Sequence, residues 1–456
     1  MRHTYVKLAA LLLVLVFALT GCNLIKVDQV EIIRQERAEI EELYSAVVAN
    51  YDGGDVTVFE ALGPFYSNYS YMSQMYAYFG MEISDEDITS MQQEAVQTKV
   101  LDYVIEKEFE NRGLSIGMTE EELRAQVDEE FAASRESYLE YSSGKTEEER
   151  IAEAELALYV EGFTPEALYE SYMAQYRSEA LQADVESEIT EVTEEQLQAA
   201  YDERVAANQE TYTAAPASYE SDVTDETVGT ICWVPEGYRT VKHVLVIPEE
   251  AVLQAVTDAR NALKSAQDAL AALETEMESA GDDEDSRTAE EIQADIDAKN
   301  AEIAAQQTAV ADAEAACLAS VKAKTDLIYA DLAAGKGIDE VMAAYGEDPG
   351  MQSEPNMSTG YYVREDSTLW DANFTAGSMA LAQVGDYSAE PVISASGVHI
   401  IYYNSDVTGG AVPMENVREA LAEETLATLK TEHYTACMSE WYEAINAEYH
   451  MENWVW

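Results

Sequence analysis

The apolar positions of this chain change period along its length. From about Ile32 to Ala206 they recur at steps of three and four among acidic residues, the spacing of one helix face. Helix boundaries accompany them. Val100, Leu101, Val104 and Ile105 lead to a stop at Gly113, and Thr119 with Glu122 has the spacing of a capping box for the next helix. Thr164 followed by Pro165 reads as an N-cap and first helical position, and Thr193 with Gln196 repeats the capping box. The region is expected to be a helical domain without an internal repeat. Tyr66, Tyr69, Tyr71, Met72, Met75, Tyr76 and Tyr78 crowd one segment of it. Two readings of that cluster stand: packing between helices, or an adaptable apolar surface for unfolded chains, since Met and Tyr suit promiscuous contact.

Residues 208–236 hold Pro216, Pro235 and several Ser and Thr, and are expected to form an irregular lead-in. "TVKHVLVIPEE" (residues 240–250) then opens as a strand and closes as a helix start. The most regular pattern follows. Val252, Val256, Ala259, Leu263, Ala266, Leu270, Leu273 and Met277 alternate steps of four and three; after the acidic break "SAGDDEDSRT", Ile292, Ile296, Lys299, Ile303, Gln306, Val310, Ala313 and Cys317 repeat them from a capping box at Thr288 and Glu291. Two heptad arms joined by a short acidic turn predict an antiparallel coiled-coil hairpin. Arms of about 30 residues would project roughly 45 Å. Beyond it a helix runs through Leu327, Ile328 and Leu332 to Gly335, "TGYYV" reads as a strand, and a helix surrounds Phe374 to Leu381. "VGDYSAEPVISASGVHIIYY" holds a turn and two strands, and an amphipathic helix passes through Val417, Leu421, Leu426, Leu429 and Trp441.

Charge narrows the function classes. The 456 residues carry 26 Lys and Arg against 89 Asp and Glu, a net charge of −63. Such a surface repels nucleic acid and attracts cationic unfolded chains, so nucleic-acid binding is excluded. At the N-terminus, Arg2 and Lys7 precede an apolar run from Leu8 to Leu19 that ends in Leu19-Thr20-Gly21-Cys22. This is a secretory signal, too short for a transmembrane helix. Its end resembles the bacterial lipobox, which implies acylation of Cys22 and a lipid-anchored protein on the extracytoplasmic face of the membrane. Cys232, Cys317 and Cys437 form no CxxC pair and no metal spacing, leaving either one disulfide or free thiols. No metal and no cofactor is expected.

A family resemblance rests on five segments. "VKHVLV", "LAAGKGIDEVMAAYGED", "TGYY", "MALAQVGDYSAEPV" and "SGVHII" follow one another in the order of a parvulin-type peptidyl-prolyl isomerase, the GD-x-S-x-x-P-V and SGVHII pair being the most diagnostic. With the helix "VTEEQLQAAYDE", the helical N-terminal region and the lipobox, the chain resembles the PrsA/SurA-type extracytoplasmic foldases, loosely from Ile32 to Ala206. The implied fold is α+β, a helical chaperone-like domain plus a parvulin-like βα3βαβ2 domain. The expected boundaries are a signal peptide over 1–22, the helical domain and linker over 23–236, the parvulin-like domain over 237–408 with the hairpin inserted at 249–322, and over 409–456 a C-terminal helix packing back on the N-terminal domain. The resemblance makes His243, His399 and Asp348 the catalytic-site residues. It makes Phe374, with Trp370 one helical turn earlier, the wall of a proline pocket, and Ser394 and Ser396 hydroxyl positions beside the second histidine. One departure is "MSTGYY", where many parvulins read G-D-L-G; only Gly360 is retained.

The chemistry needs little from acids and bases. Rotating an Xaa-Pro bond crosses a barrier of ~18–20 kcal/mol without a covalent bond to the protein. A site must hold proline against apolar walls, exclude water and favour the twisted amide. The two imidazoles are therefore expected to form a tautomer-defined pair that shapes the site. The function implied is peptidyl-prolyl cis-trans isomerisation in newly secreted or unfolded polypeptides. Two alternatives are a non-catalytic holdase with a degenerate parvulin domain, and a coiled-coil envelope scaffold whose hairpin docks a partner.

Overall fold

A computed structural model describes residues 28–225, 227–278 and 287–455. The signal segment with Cys22, and most of the acidic turn of the hairpin, lie outside the described residues. The fold is α+β, mostly helical with small antiparallel sheets. Two compact units divide the chain, one formed by the residues up to Glu191 with those from Leu426 on, the other by Val192–Thr425.

The first unit begins with α1 (Gln29–Tyr44), then departs from the all-helical expectation. β1 (Val47–Tyr51) and β2 (Gly54–Thr57) form an antiparallel hairpin. Its turn is Asp52-Gly53, a short-range hairpin signal in the sequence. Five helices follow: α2 (Val58–Tyr78), α3 (Asp85–Asn111), α4 (Glu120–Leu139), α5 (Glu147–Val160) and α6 (Pro165–Glu186). Capping boxes at Thr57, Ser84, Thr119 and Thr146 start α2 to α5, and Thr164 caps α6 with Pro165 in its first turn. Each box satisfies helix-end N–H groups that would otherwise lack partners. Val48, Ala49 and Val56 of the hairpin are buried with Leu62, Phe65, Val96 and Val100.

The second unit opens with α7 (Glu194–Ala214), capped by Thr193 and Gln196. The lead-in expected to be irregular contains α8 (Tyr219–Asp222) and β3 (Trp233–Val234). Then come β4 (Arg239–Val246), α9 (Glu250–Glu278), α10 (Ala289–Ala333), α11 (Ile338–Tyr345), α12 (Asn356–Thr359), β5 (Tyr361–Val363), α13 (Ala372–Met379), β6 (Val392–Ile393), β7 (Val398–Asp406) and β8 (Gly410–Ala411). β8 pairs with β3, and the main sheet has the order β5-β4-β7-β6, antiparallel throughout. α14 (Met414–Glu443) starts in this unit and belongs to the first from Leu426 on. Leu421 is buried with Leu197 and Cys232, whereas Met438 and Trp441 pack in the first unit's clusters. β9 (Glu448–Tyr449) pairs with β1.

Strand alternation sorts the main sheet into two faces. Val244, Val246, Val398 and Ile400 face one way and are buried with Ile328, Leu332, Ile338 and Val341 of α10 and α11. Lys242 shares that face; nearly inaccessible itself, it gives its ammonium to Asp339 at 2.7 Å. Val241, Ile401 and Tyr403 face the other way with Phe374 and Leu381. His243 and His399 alternate onto this second face.

α9 and α10 form the coiled-coil hairpin. α10 runs unbroken from its capping box at Thr288 to Ala333, so the second arm of the hairpin is the same helix that packs on the sheet. Val256, Cys317 and Val321, at the root, are part of the sheet's own core. Cys232 and Cys317 are buried free thiols and Cys437 is a half-buried one.

Gly360, ahead of β5, takes φ +81°, and a Cβ there would lie 2.6 Å from the Val241 carbonyl oxygen. Both the conformation and the close approach to β4 exclude a side chain. Gly360→Ala is expected to destabilise the protein by more than about 1 kcal/mol, read as a lower urea midpoint with an unchanged m-value; an unchanged midpoint would contradict this account of β5.

A candidate proline site built on two buried imidazoles

β4 and β7 set His243 opposite Ile401 and His399 opposite Leu245. The histidines are thus diagonal neighbours on one face, a separation that long or aromatic side chains can span. Their Nδ1 atoms meet at 2.9 Å. Both residues are almost fully buried, 2% and 5% exposed. Asp348 Oδ2 lies 2.7 Å from His243 Nε2, and Ser394 Oγ lies 2.6 Å from His399 Nε2. Four side chains from separate parts of the unit therefore make one continuous chain of hydrogen bonds.

One end of this chain is fixed by charge. Burial raises the Asp348 carboxyl, but hydrogen bonding and charge from His243, the Gly350 N–H and the Tyr361 hydroxyl outweigh it and hold the group down at about 2. Asp348 is therefore ionised and accepts only, so His243 donates to it from Nε2. Burial pushes His399 down to about 3, reinforced by His243 and opposed by Asp348, so this ring is neutral. A neutral ring has one N–H, so His399 donates at one of its two nitrogens and accepts at the other, one facing His243 and the other facing Ser394. Ser394 Oγ accepts the Ser396 N–H at 3.0 Å.

Aromatic rings enclose the pair. Phe374, on α13, meets His243 and His399 edge-on, with centroids 5.2 and 5.1 Å away. Tyr361, on β5, lies 5.6 Å from His243 and stacks on Trp370 at 4.3 Å. Trp370 is 5.9 Å from Phe374 and donates its indole N–H to the Tyr362 carbonyl at 2.7 Å. Trp370 precedes the N-cap Asp371 and so stands just outside α13, not one turn back along it. Asp371 also accepts the Ala395 N–H at 3.1 Å, tying the start of α13 to the Ser394–Ser396 turn. Ser396 is exposed on that turn.

All seven candidate residues of this unit meet here: His243, Asp348, His399, Trp370, Phe374, Ser394 and Ser396, the last through its backbone. Sequence reasoning missed Tyr361. Its hydroxyl donates to Asp348 Oδ2 at 2.9 Å, while burial and the carboxylate raise its own pKa. A tyrosine on a strand suits packing with or without a hydroxyl partner, so the sequence carried no signal for this contact. Asp371 was also missed, although an Asp two residues ahead of Asn373 in "WDANF" is an N-cap pattern. The GD-x-S motif serves the backbone: Gly385 N–H bonds the Tyr403 carbonyl, Tyr403 N–H the Asp386 carbonyl, and Ser388 Oγ accepts the Ile401 N–H at 3.1 Å. A cavity of the first unit, about 760 Å³, is lined by Tyr51, Phe59, Tyr103 and Phe163 among charged residues. Among the described residues no group of His, Cys, Asp or Glu is placed to hold a metal ion, and no helix is long and apolar enough to cross a membrane.

The depressed pKa of His399 links the site to stability. Between about 3 and the ordinary 6.5 the unfolded chain binds the proton that the folded ring refuses, so stability falls as pH drops through this window. At roughly 1.4 kcal/mol per pH unit, the loss from this ring between pH ~6.5 and ~5 is about 2 kcal/mol. Urea unfolding at several pH values should show this slope, and His399→Gln should remove that part of it. An equally steep loss in the variant would refute a neutral buried ring.

No family model matches the sequence, and no curated protein matches it. Among solved structures the chain is similar to the peptidylprolyl isomerase PrsA of Bacillus anthracis, with 12% identity over 76% of this chain and 93% of that one and a TM-score of 0.18. It is likewise similar to a SurA-like chaperone of Campylobacter jejuni, with 13% identity over 81% and 97% of the two chains and a TM-score of 0.23. At such TM-scores the chains do not superpose as whole molecules.

Proposed function

We propose that this chain is an extracytoplasmic foldase whose second unit is a parvulin-type peptidyl-prolyl cis-trans isomerase, anchored to the membrane through Cys22. The observation that carries the reading is the hydrogen-bonded chain from Asp348 through His243 and His399 to Ser394, lying beneath the ring of Phe374. It coincides with the positions that the resemblance to parvulins assigns.

The geometry favours a shaping role over proton transfer. His399 stays neutral above pH about 3 and both imidazoles are shut away from solvent, so neither is a convenient proton source. A substrate meets the rim instead: Trp370, the exposed Ser396 and the turn that Asp371 holds. A planar amide is charge-separated by resonance, and a twisted one is less so. Surroundings of low polarity therefore disfavour the ground state more than the transition state. The Asp348 carboxylate does not spoil that environment, because three donors engage it on the far side of His243. Proline packs against Trp370 and the edge of Phe374 as its amide turns.

A protease-free isomerisation assay on Xaa-Pro peptides tests this. The rate should exceed background, and Phe374→Ala should lower kcat/KM at least tenfold, a loss of about 1.4 kcal/mol in transition-state binding. A folded protein with no rate above background sinks the isomerase reading.

A second reading, client holding, has its own support in the first unit. Ala61 to Met81 contains no charged residue in a chain of −63. Tyr71, Tyr78, Phe79 and Met81 stand there 67%, 85%, 68% and 58% exposed. Phe65 from the same helix is core, so the cluster serves packing at one end and surface at the other. Tyr78→Ser with Phe79→Ser should at least halve the suppression of client aggregation while leaving peptide isomerisation unchanged. Undiminished protection would remove this face from the function.

A further inference from the structure

Both ends of the buried hydrogen-bond chain are held from outside the sheet by the root of the coiled-coil hairpin. At the serine end, Arg260 of α9 donates from its two Nη atoms to the Ile393 carbonyl at 3.3 and 3.2 Å. Glu314 of α10 fixes the same guanidinium, at 3.0 Å from Nε and 2.7 Å from Nη2. The Ile393 carbonyl and the Ser394 N–H belong to one peptide unit. That N–H is bonded to the Gly397 carbonyl at 2.9 Å, so the unit is gripped on both sides. Ser394 then presents its hydroxyl to His399.

At the carboxylate end, Lys324 of α10 pairs with Glu347 at 2.7 Å. The other oxygen of Glu347 accepts the Ile247 N–H at 2.6 Å, and its own N–H bonds the Leu245 carbonyl at 3.0 Å. The next residue is Asp348. Glu347 thus joins the end of β4, the second arm of the hairpin and the acceptor at the end of the chain. Between these two grips Val256, Cys317 and Val321 pack on the sheet face opposite the imidazoles.

We infer that Arg260 and Lys324 are positioning residues for the His243–His399 pair, and that the root of the hairpin is a working part of the site. The inference rests on the isomerase reading only for its kinetic consequence; the imidazole geometry is testable without it. Arg260 sets the peptide that aims Ser394, and Lys324 sets the segment that aims Asp348. Glu314 Oε1 accepts from both Nε and Nη2 of Arg260 and gives the first grip its direction, since a planar guanidinium held at one edge presents the remaining donors along a fixed line.

Full-length protein labelled with ¹⁵N-histidine has five imidazoles to assign. Ring ¹⁵N shifts report tautomer and hydrogen bonding whether or not the protein is an isomerase. Arg260→Met, which keeps an apolar stem, should move the His399 Nε2 resonance first. Lys324→Met should move His243 Nε2 first. Arg260→Lys, which keeps a donor, should fall between wild type and Arg260→Met. Lys264→Met removes an exposed ion pair further along α9 and should move neither ring. In the isomerase assay the two Met variants should lose threefold or more in kcat with less change in KM. Folded variants whose imidazole shifts stay at wild-type values overturn the inference, as do variants that move both rings equally. If one variant fails to fold, the other decides. Wild-type protein with no isomerase rate but the expected shifts would overturn the function proposed above and leave the positioning intact.

Discussion

Two imidazoles placed Nδ1 to Nδ1 can hold only one proton between the facing nitrogens, and that constraint governs the second unit. If both rings carried hydrogen on Nδ1 they would clash; if neither did, two lone pairs would meet in a dry interior. Asp348, unable to donate, fixes the outer end by taking the His243 Nε2 proton. The neutral His399 ring has a single N–H, so its contacts to His243 and to Ser394 must take opposite roles. A buried group left without its partner costs about 1–3 kcal/mol, so moving one member leaves its neighbour unsatisfied.

Much of the surrounding architecture follows from meeting this condition. The diagonal register of β4 and β7 brings the rings within reach. The close approach of Gly360 to Val241 sets β5 where Tyr361 can reach Asp348. Phe374 keeps water from the shared proton, and α13 is held over the rings by the bond from Ala395 to Asp371. The same closure shuts both imidazoles from solvent and holds His399 neutral, which is the setting that the proposed isomerisation, a reaction without proton transfer, would need.

What the sequence disclosed was whatever local physics decides. Capping boxes at Thr119, Thr193 and Thr288 mark helix starts because the side chains that satisfy the first N–H groups lie three residues apart. The two histidines were legible as strand residues in matching contexts, and their pairing came from segment order against a known family. Tyr361 was not legible as an Asp348 partner, because a tyrosine on a strand suits packing whether or not its hydroxyl has an acceptor. Glu347 and Arg260 were hidden for a related reason. Their partners, Lys324 and the Ile393 carbonyl, are close in space and far along the chain. The β1–β2 hairpin was the avoidable loss. Asp52-Gly53 was present, but apolar spacing on either side fitted a helix as well as two short strands, and only pairing with β9 and burial against α2 and α3 decided it.

Charge sets one surface of the first unit apart. Ala61 to Met81, the face that the proposed client holding would use, contains no charged residue, while the chain as a whole carries −63. Exposed aromatic surface on a neutral protein invites self-association. On a strongly acidic one, like-charge repulsion opposes the approach of a second copy and leaves cationic or unfolded chains free to approach. Screening over about 8 Å at physiological salt confines this discrimination to short range, which is where an apolar contact is made or refused. Under the proposed client holding, the acidic excess would therefore select at the same distance at which the uncharged face would bind, and neither feature would be sufficient without the other.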